Sequence, residues 1–330
     1  MARVVVCVAM LGATLTVAGP AAAATSPSRE PFAVATRVVT FVDTTRSTPA
    51  VGATPASPQR RLVTHLWYPA AGAPLAAAPP NSPPLQRHAP YPLIVFAHGD
   101  AGHALDYDPM LRHWAAAGYV VAAPDFPVSS RNGTAGVADV ANQPGDLKFV
   151  IRSVLRFDRA KRGLGRVIDA RRIGVAGHSL GAATVVALVE RSCCADRRVR
   201  GAISFSGLAL LPGEDYPRPS VPLLLVHGTA DRNVPYAASI HLYAAVGPPR
   251  YLLTLLGRGH QSWPRGTGPV DAAVLRATLD FWTVYLRGDH AAVPALEHDA
   301  AVADRTTIQA DPASPGRSHR FAKSPGGRAA

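Results

Sequence analysis

Three residues of this chain, in one order, have the side chains that acyl transfer needs. Ser179 lies in Gly177-His178-Ser179-Leu180-Gly181, Asp231 in His227-Gly228-Thr229-Ala230-Asp231, and His260 in Gly257-Arg258-Gly259-His260-Gln261. A serine hydroxyl becomes a nucleophile when an imidazole takes its proton, and the imidazole needs a carboxylate to fix its tautomer. Each residue also has a plainer reading. Asp231 could cap the helix that follows it, and His260 could be a loop histidine bonded to backbone. What favours chemistry is placement, since each directly follows a short apolar run that reads as a strand.

The serine pentapeptide is preceded by Arg172-Ile173-Gly174-Val175-Ala176 and followed by Ala182–Glu190, which reads as a helix. Strand, Gly-x-Ser-x-Gly, helix is the context of a nucleophile elbow. Glycine is needed on both sides because strand and helix approach too closely for a Cβ. In this context two backbone N–H groups receive the oxyanion. One is expected from Leu180, at the head of the helix, where the helix dipole helps. The other is expected from Asp100, in the turn His98-Gly99-Asp100. A carboxylate there would oppose the developing negative charge, so the Asp100 side chain is expected to point away. Other acids fit less well. Asp125 precedes the serine, against the usual order, and Glu214 and Asp215 sit in a Pro-rich loop. His178 and His227 read as packing or loop-bonding residues.

The elements that must position these groups alternate. Thr36–Asp43 and Arg61–Tyr68 read as a hairpin of strands. Strands follow at Leu93–Ala97, Tyr119–Ala123, Arg172–Ala176, Val199–Phe205, Val221–Val226 and Arg250–Leu256. Helices are predicted over 108–117, 144–157, 182–190, 235–246 and 270–286 from apolar spacing. Continuous apolar strands separated by helices predict an α/β fold: a mostly parallel sheet with helices on both faces and an antiparallel N-terminal edge. Residues 36–290 are read as the catalytic domain, preceded by a leader over 25–35. Residues 291–310 are read as a short extension with room for one helix. Residues 311–330, rich in Pro, Gly, Ser and Arg, are read as a disordered tail.

Met1-Ala2-Arg3, an apolar stretch over 4–18 and Ala21–Ala24 have the layout of a signal peptide over 1–24, so export is expected. No later stretch is apolar enough for a membrane anchor. The formal charge is +12. The basic residues are scattered, without runs or an aromatic-studded stripe, which argues against nucleic acid as a partner. After the signal only Cys193 and Cys194 remain, and as neighbours they read as two structural cysteines rather than a disulfide framework. No His/Cys/Asp cluster has ligand spacing, so neither a metal nor a cofactor is expected.

Taken with Leu66-Trp67-Tyr68-Pro69, Tyr91–Gly99, Ala116–Pro124, Gly145–Val150 and His227–Asp231, the elbow makes the chain from about Val38 to Asp289 resemble the α/β-hydrolases. The likeness is to the secreted bacterial branch of dienelactone-hydrolase-like, platelet-activating-factor-acetylhydrolase-like, chlorophyllase and cutinase-like esterases. It implies Ser179 as nucleophile, Asp231 as acid, His260 as base, and Leu180 with Asp100 as oxyanion donors. The chain departs from parts of that branch. Dienelactone hydrolases use a cysteine where Ser179 stands. The polyester hydrolases carry an aromatic where Asp100 stands, and their C-terminal disulfide has no counterpart.

The loop over 206–220 is too short for a cap domain, so the site is expected to be open, bordered by His103, Tyr216 and Trp263 as candidate substrate contacts. Trp263 could equally pack beneath the histidine loop. The expected activity is serine-esterase hydrolysis of a small-molecule or polymeric ester by a monomer. Alternatives are a polyester, cutin or lipid hydrolase, an amidase or peptidase on the same residues, and a non-catalytic binding protein.

Overall fold

A computed structural model describes residues 30–134, 136–157, 163–208 and 221–312. Among these, nine strands form one sheet in the order β1-β2-β4-β3-β5-β6-β7-β8-β9. The strands are β1 (Ala33–Asp43), β2 (Arg60–Ala70), β3 (Tyr91–Ala97), β4 (Val120–Asp125), β5 (Ile168–His178), β6 (Val199–Phe205), β7 (Leu223–Gly228), β8 (Arg250–Leu255) and β9 (Thr306–Asp311). Strands β3 to β8 pair in parallel. The β1–β2 hairpin and the β2–β4 pair are antiparallel, which makes the expected N-terminal edge.

The helices are α1 (Asp108–Ala116), α2 (Gln143–Arg156), α3 (Leu180–Glu190), α4 (Ala237–Ala245), α5 (Pro269–Arg287) and α6 (Val293–Asp299). Helices α1, α2, α5 and α6 carry proline in their first turn, where the missing N–H costs no helical bond. The sheet is buried on both faces. Val150, Ile151, Val186 and Leu242 bring α2, α3 and α4 onto one core. Trp114, Phe281, Trp282 and Leu296 bring α1, α5 and α6 onto the other. Strands covered on both sides must be apolar at successive positions, and β3 is buried at all seven of its residues.

The sheet extends beyond the span read from sequence at both ends. β1 begins at Ala33, inside the stretch read as leader. β9, in the stretch read as an extension, pairs antiparallel with β8 from Thr306↔Leu255 to Asp311↔Arg250. Its residues, Thr-Thr-Ile-Gln-Ala-Asp, are too polar to announce a strand, because only Thr306 is buried. The turn that closes α3, with Cys194 and Ala195 N–H groups on the Arg191 carbonyl, carries Cys193 and Cys194 as a disulfide between neighbours. Asp311, read as the first residue of the disordered tail, ends β9, and the signal peptide, residues 25–29 of the leader, residues 313–330 of the tail and Tyr216 lie outside the described residues.

Candidate active site

The elbow strains one residue to expose one hydroxyl. Ser179, between β5 and α3, has φ 54° and ψ −118°, a conformation that non-glycine residues adopt only when their surroundings hold them there. The glycines explain how. A Cβ on Gly177 would meet the Gly181 carbonyl oxygen at 2.4 Å, and one on Gly181 would meet that of Ala97 at 2.2 Å. Strand β5, helix α3 and the end of β3 therefore touch through backbone.

The histidine and the aspartate arrive from the ends of the next two parallel strands but one. Asp231 lies in the turn after β7 and His260 in the turn after β8. Ser179 Oγ is 2.9 Å from His260 Nε2, and His260 Nδ1 is 2.8 Å from Asp231 Oδ2. Because Nδ1 faces a carboxylate, it carries the proton, and Nε2 is left to accept the serine O–H. The structure thus brings Ser179, His260 and Asp231 into one hydrogen-bonded chain.

The Asp231 side chain is fully buried. Burial alone would raise its pKa. The bond from the Val234 N–H, the His260 bond and the Asn233 N–H outweigh it and hold the carboxyl below its ordinary value. His227 adds a further donor. Its Nε2 faces Asp231 Oδ2 at 3.1 Å and the Val234 carbonyl at 3.1 Å, so Nε2 bears the proton. Its Nδ1 accepts the Ser239 O–H at 2.7 Å. Burial lowers the His227 pKa and keeps that ring neutral.

His178, beside the serine, is a brace. Its Nε2–H donates to the His260 carbonyl at 3.0 Å, and its Nδ1 accepts from the Tyr107 hydroxyl at 2.9 Å. That hydroxyl accepts in turn from the Gly99 N–H at 3.1 Å. One chain of bonds therefore ties the turn after β3, the elbow and the histidine loop together. Burial pushes the His178 pKa down to about 3, so the ring stays neutral and its bond pattern is fixed.

The N–H groups of Leu180 and Asp100 have no acceptor among the described residues. The Asp100 carboxylate is turned to the loop after β4, where it accepts the Gly136 N–H at 2.7 Å. A hollow of about 610 Å³ opens over Ser179 and is lined in part by Asp100, Tyr107, Arg131, Trp263 and Arg265. Arg131 is paired with Asp106. The Arg265 guanidinium bonds the Gln261 side chain and stands 5.8 Å from the Trp263 ring centre.

Trp263 touches the hollow but is 6% exposed and packs on His178 and Tyr107, with ring centres 4.2 and 4.7 Å apart, so its packing role dominates. His103 does not line the hollow. It caps the short turn Ala104–Tyr107 by accepting the Leu105 N–H, and its Nε2 lies 3.1 Å from Asp125. Tyr107, Asn233 and Ser239 were not read from the sequence. Only the Asp231-x-Asn-Val-Pro turn carried a local signal for one of them.

Among solved structures, a ferulic acid esterase from Streptomyces cinnamoneus superposes with a TM-score of 0.56 at 23% identity, over 81% of this chain and 93% of that one. The chain has the α/β-hydrolase fold. A family model described as Chlorophyllase matches residues 69–210 of the chain, a span from β2 through the elbow to just past β6. No curated protein matches the sequence. No helix among the described residues is long and apolar enough to cross a membrane.

Proposed function

We propose that this α/β-hydrolase is an exported serine esterase that cleaves carboxylic esters through an acyl-enzyme. The observation that carries the reading is the chain Ser179 Oγ to His260 Nε2 to Asp231, closed at its far end by buried donors. The matches to the Chlorophyllase family and to a ferulic acid esterase support ester chemistry.

In the first half-reaction His260 Nε2 takes the Ser179 proton as Oγ attacks the ester carbonyl carbon. Asp231 stabilises the resulting imidazolium through its Nδ1–H. The carbonyl oxygen becomes an oxyanion that the Leu180 and Asp100 N–H groups receive, each such donor contributing about 3–4 kcal/mol. The tetrahedral intermediate collapses, the ester C–O bond breaks, and His260 gives its proton to the leaving alkoxide. Water then gives a proton to His260 and attacks the acyl carbon. Collapse of the second intermediate releases the acid and restores the serine O–H. The neutral His178 and the Tyr107 hydroxyl hold the loops in register and take no proton.

The test is hydrolysis of p-nitrophenyl esters of rising chain length by wild type and by Ser179→Ala. Wild type turns over, and Ser179→Ala loses about 10⁶ in kcat, keeping only the residual rate that the oxyanion donors and binding supply. Equal rates for the two proteins would contradict the reading. The chain-length profile separates short esters from long lipids, and matched anilides separate an esterase from an amidase.

A further inference from the structure

We propose that His65, His103 and Asp125 form a binding site for a divalent transition-metal ion of the zinc type, separate from the Ser179 site. The residues come from β2, from the cap of the turn after β3 and from the end of β4. Their ligand atoms lie within 4.8 Å of one another. Asp125 Oδ2 is 3.2 Å from His65 Nε2 and 3.1 Å from His103 Nε2. Ligands around a tetrahedral zinc ion, each about 2.0–2.1 Å from it, are themselves about 3.3 Å apart. Two edges of that tetrahedron are therefore already in place.

Charge points the same way. The three side chains are 11%, 16% and 9% exposed. Among the described residues Asp125 pairs with no lysine or arginine. A divalent ion would supply the positive charge that no such side chain brings to this carboxylate. Its second oxygen, Oδ1, accepts the Ala104 N–H at 2.9 Å, which orients the carboxylate as an outer partner does at metal sites. Two imidazoles and one carboxylate suit zinc, cobalt or nickel rather than calcium or magnesium. The residual exposure admits water as a fourth ligand.

The cost falls on His103. Its Nδ1 accepts the Leu105 N–H at 3.1 Å, so without an ion Nε2 holds the proton and donates it to Asp125. When Nε2 takes the ion, that proton moves to Nδ1 and the Leu105 bond must open. The ion would tie the segment after Gly102 to β2 and β4, one residue beyond the turn that holds Asp100.

The experiment uses the full chain, freed of metal by chelator, titrated with Zn²⁺ by calorimetry and with Co²⁺ by visible absorption. One ion binds per chain, and the cobalt spectrum becomes that of a four-coordinate site. His65→Ala and His103→Ala each weaken zinc binding by about tenfold or more, whereas His260→Ala and the surface variant His298→Ala do not. The His260→Ala arm separates this site from zinc on the triad. Where a variant does not fold, the wild-type cobalt spectrum decides. An unchanged hydrated-cobalt spectrum, or binding lost in His260→Ala and kept in His65→Ala, overturns the proposal and leaves the two histidines as hydrogen-bond donors to Asp125.

Discussion

Two buried aspartates of this molecule are bonded in nearly the same way, and only one of them stands behind an imidazole that meets a serine hydroxyl. Asp231 Oδ2 meets two imidazoles, His260 at 2.8 Å and His227 at 3.1 Å, while Oδ1 takes backbone N–H groups. Asp125 Oδ2 also meets two imidazoles, His65 and His103, while Oδ1 takes the Ala104 N–H. Both carboxyls are held below their ordinary pKa. In each case burial pushes up and is outweighed, at Asp231 foremost by the Val234 N–H and at Asp125 foremost by His65. The difference lies beyond the imidazoles. His260 has a second nitrogen 2.9 Å from Ser179 Oγ. His65 and His103 each turn Nε2 onto the carboxylate, and the far nitrogen of His103, Nδ1, accepts the Leu105 N–H instead of a hydroxyl. A carboxylate–imidazole pair is thus not a catalytic signature. The group on the far nitrogen decides whether it moves a proton, as proposed for Asp231, or encloses a cation, as proposed for Asp125.

Removing the charge from each aspartate should separate them. In Asp231→Asn the amide can donate to His260 Nδ1, which turns the ring to the wrong tautomer. Turnover should fall by about 10⁴ with little change in KM, read by steady-state kinetics on a p-nitrophenyl ester. His227→Leu removes one donor from the same carboxylate and leaves His260 in place. It should lower kcat about ten- to hundredfold, from the loss of about 1.5–3 kcal/mol of charge-assisted bonding. Asp125→Asn should leave kcat within about threefold yet lower unfolding stability by about 2 kcal/mol in urea. A turnover loss equal to that of Asp231→Asn would break the comparison.

A third carboxyl sharpens it by having neither imidazoles nor backbone donors. Asp280 on α5 is pushed up to about 7 by burial and then by its neighbour Asp299. Below pH about 4 it is protonated in both folded and unfolded chains. Between about 4 and 7 the unfolded chain ionises while the folded one keeps its proton, so stability is lost as pH rises through that window. Asp280→Asn should therefore raise the melting temperature at pH 8 and leave it unchanged near pH 4. Asp231 and Asp125 have the opposite sign. Their contribution is present above pH about 4 and is lost as acid passes their lowered folded values. Smallest of all, Asp100→Ala should change kcat less than about twofold, because its side chain bonds Gly136 and the group proposed to receive the oxyanion is its N–H.

The sequence made the parallel sheet and the elbow legible because both are written locally. Strands buried on two faces must be apolar throughout, and the Gly177–Gly181 turn permits few residues. Asp231 and His260 were legible through their position after such strands. What stayed hidden was built by distance. His65, His103 and Asp125 have no ligand spacing along the chain and meet only when β2 pairs with β4. Tyr107 reaches the site across α1's leading turn to bond His178 and Gly99. β9 is a polar strand made by its neighbour, since pairing with β8 rather than apolar content holds it. His103 illustrates the same limit from the other side. From sequence it reads as a border of the open site, whereas the fold turns its ring onto Asp125.

The central claim is that the Ser179 hydroxyl, activated by His260, attacks the substrate carbonyl. Its most direct test is intact-protein and peptide mass spectrometry after treatment with an alkyl fluorophosphonate, which phosphonylates an activated serine. One adduct per chain is expected, located on Ser179, formed slowly in His260→Ala and absent in Ser179→Ala. No adduct, or one on another residue that persists in Ser179→Ala, would contradict it.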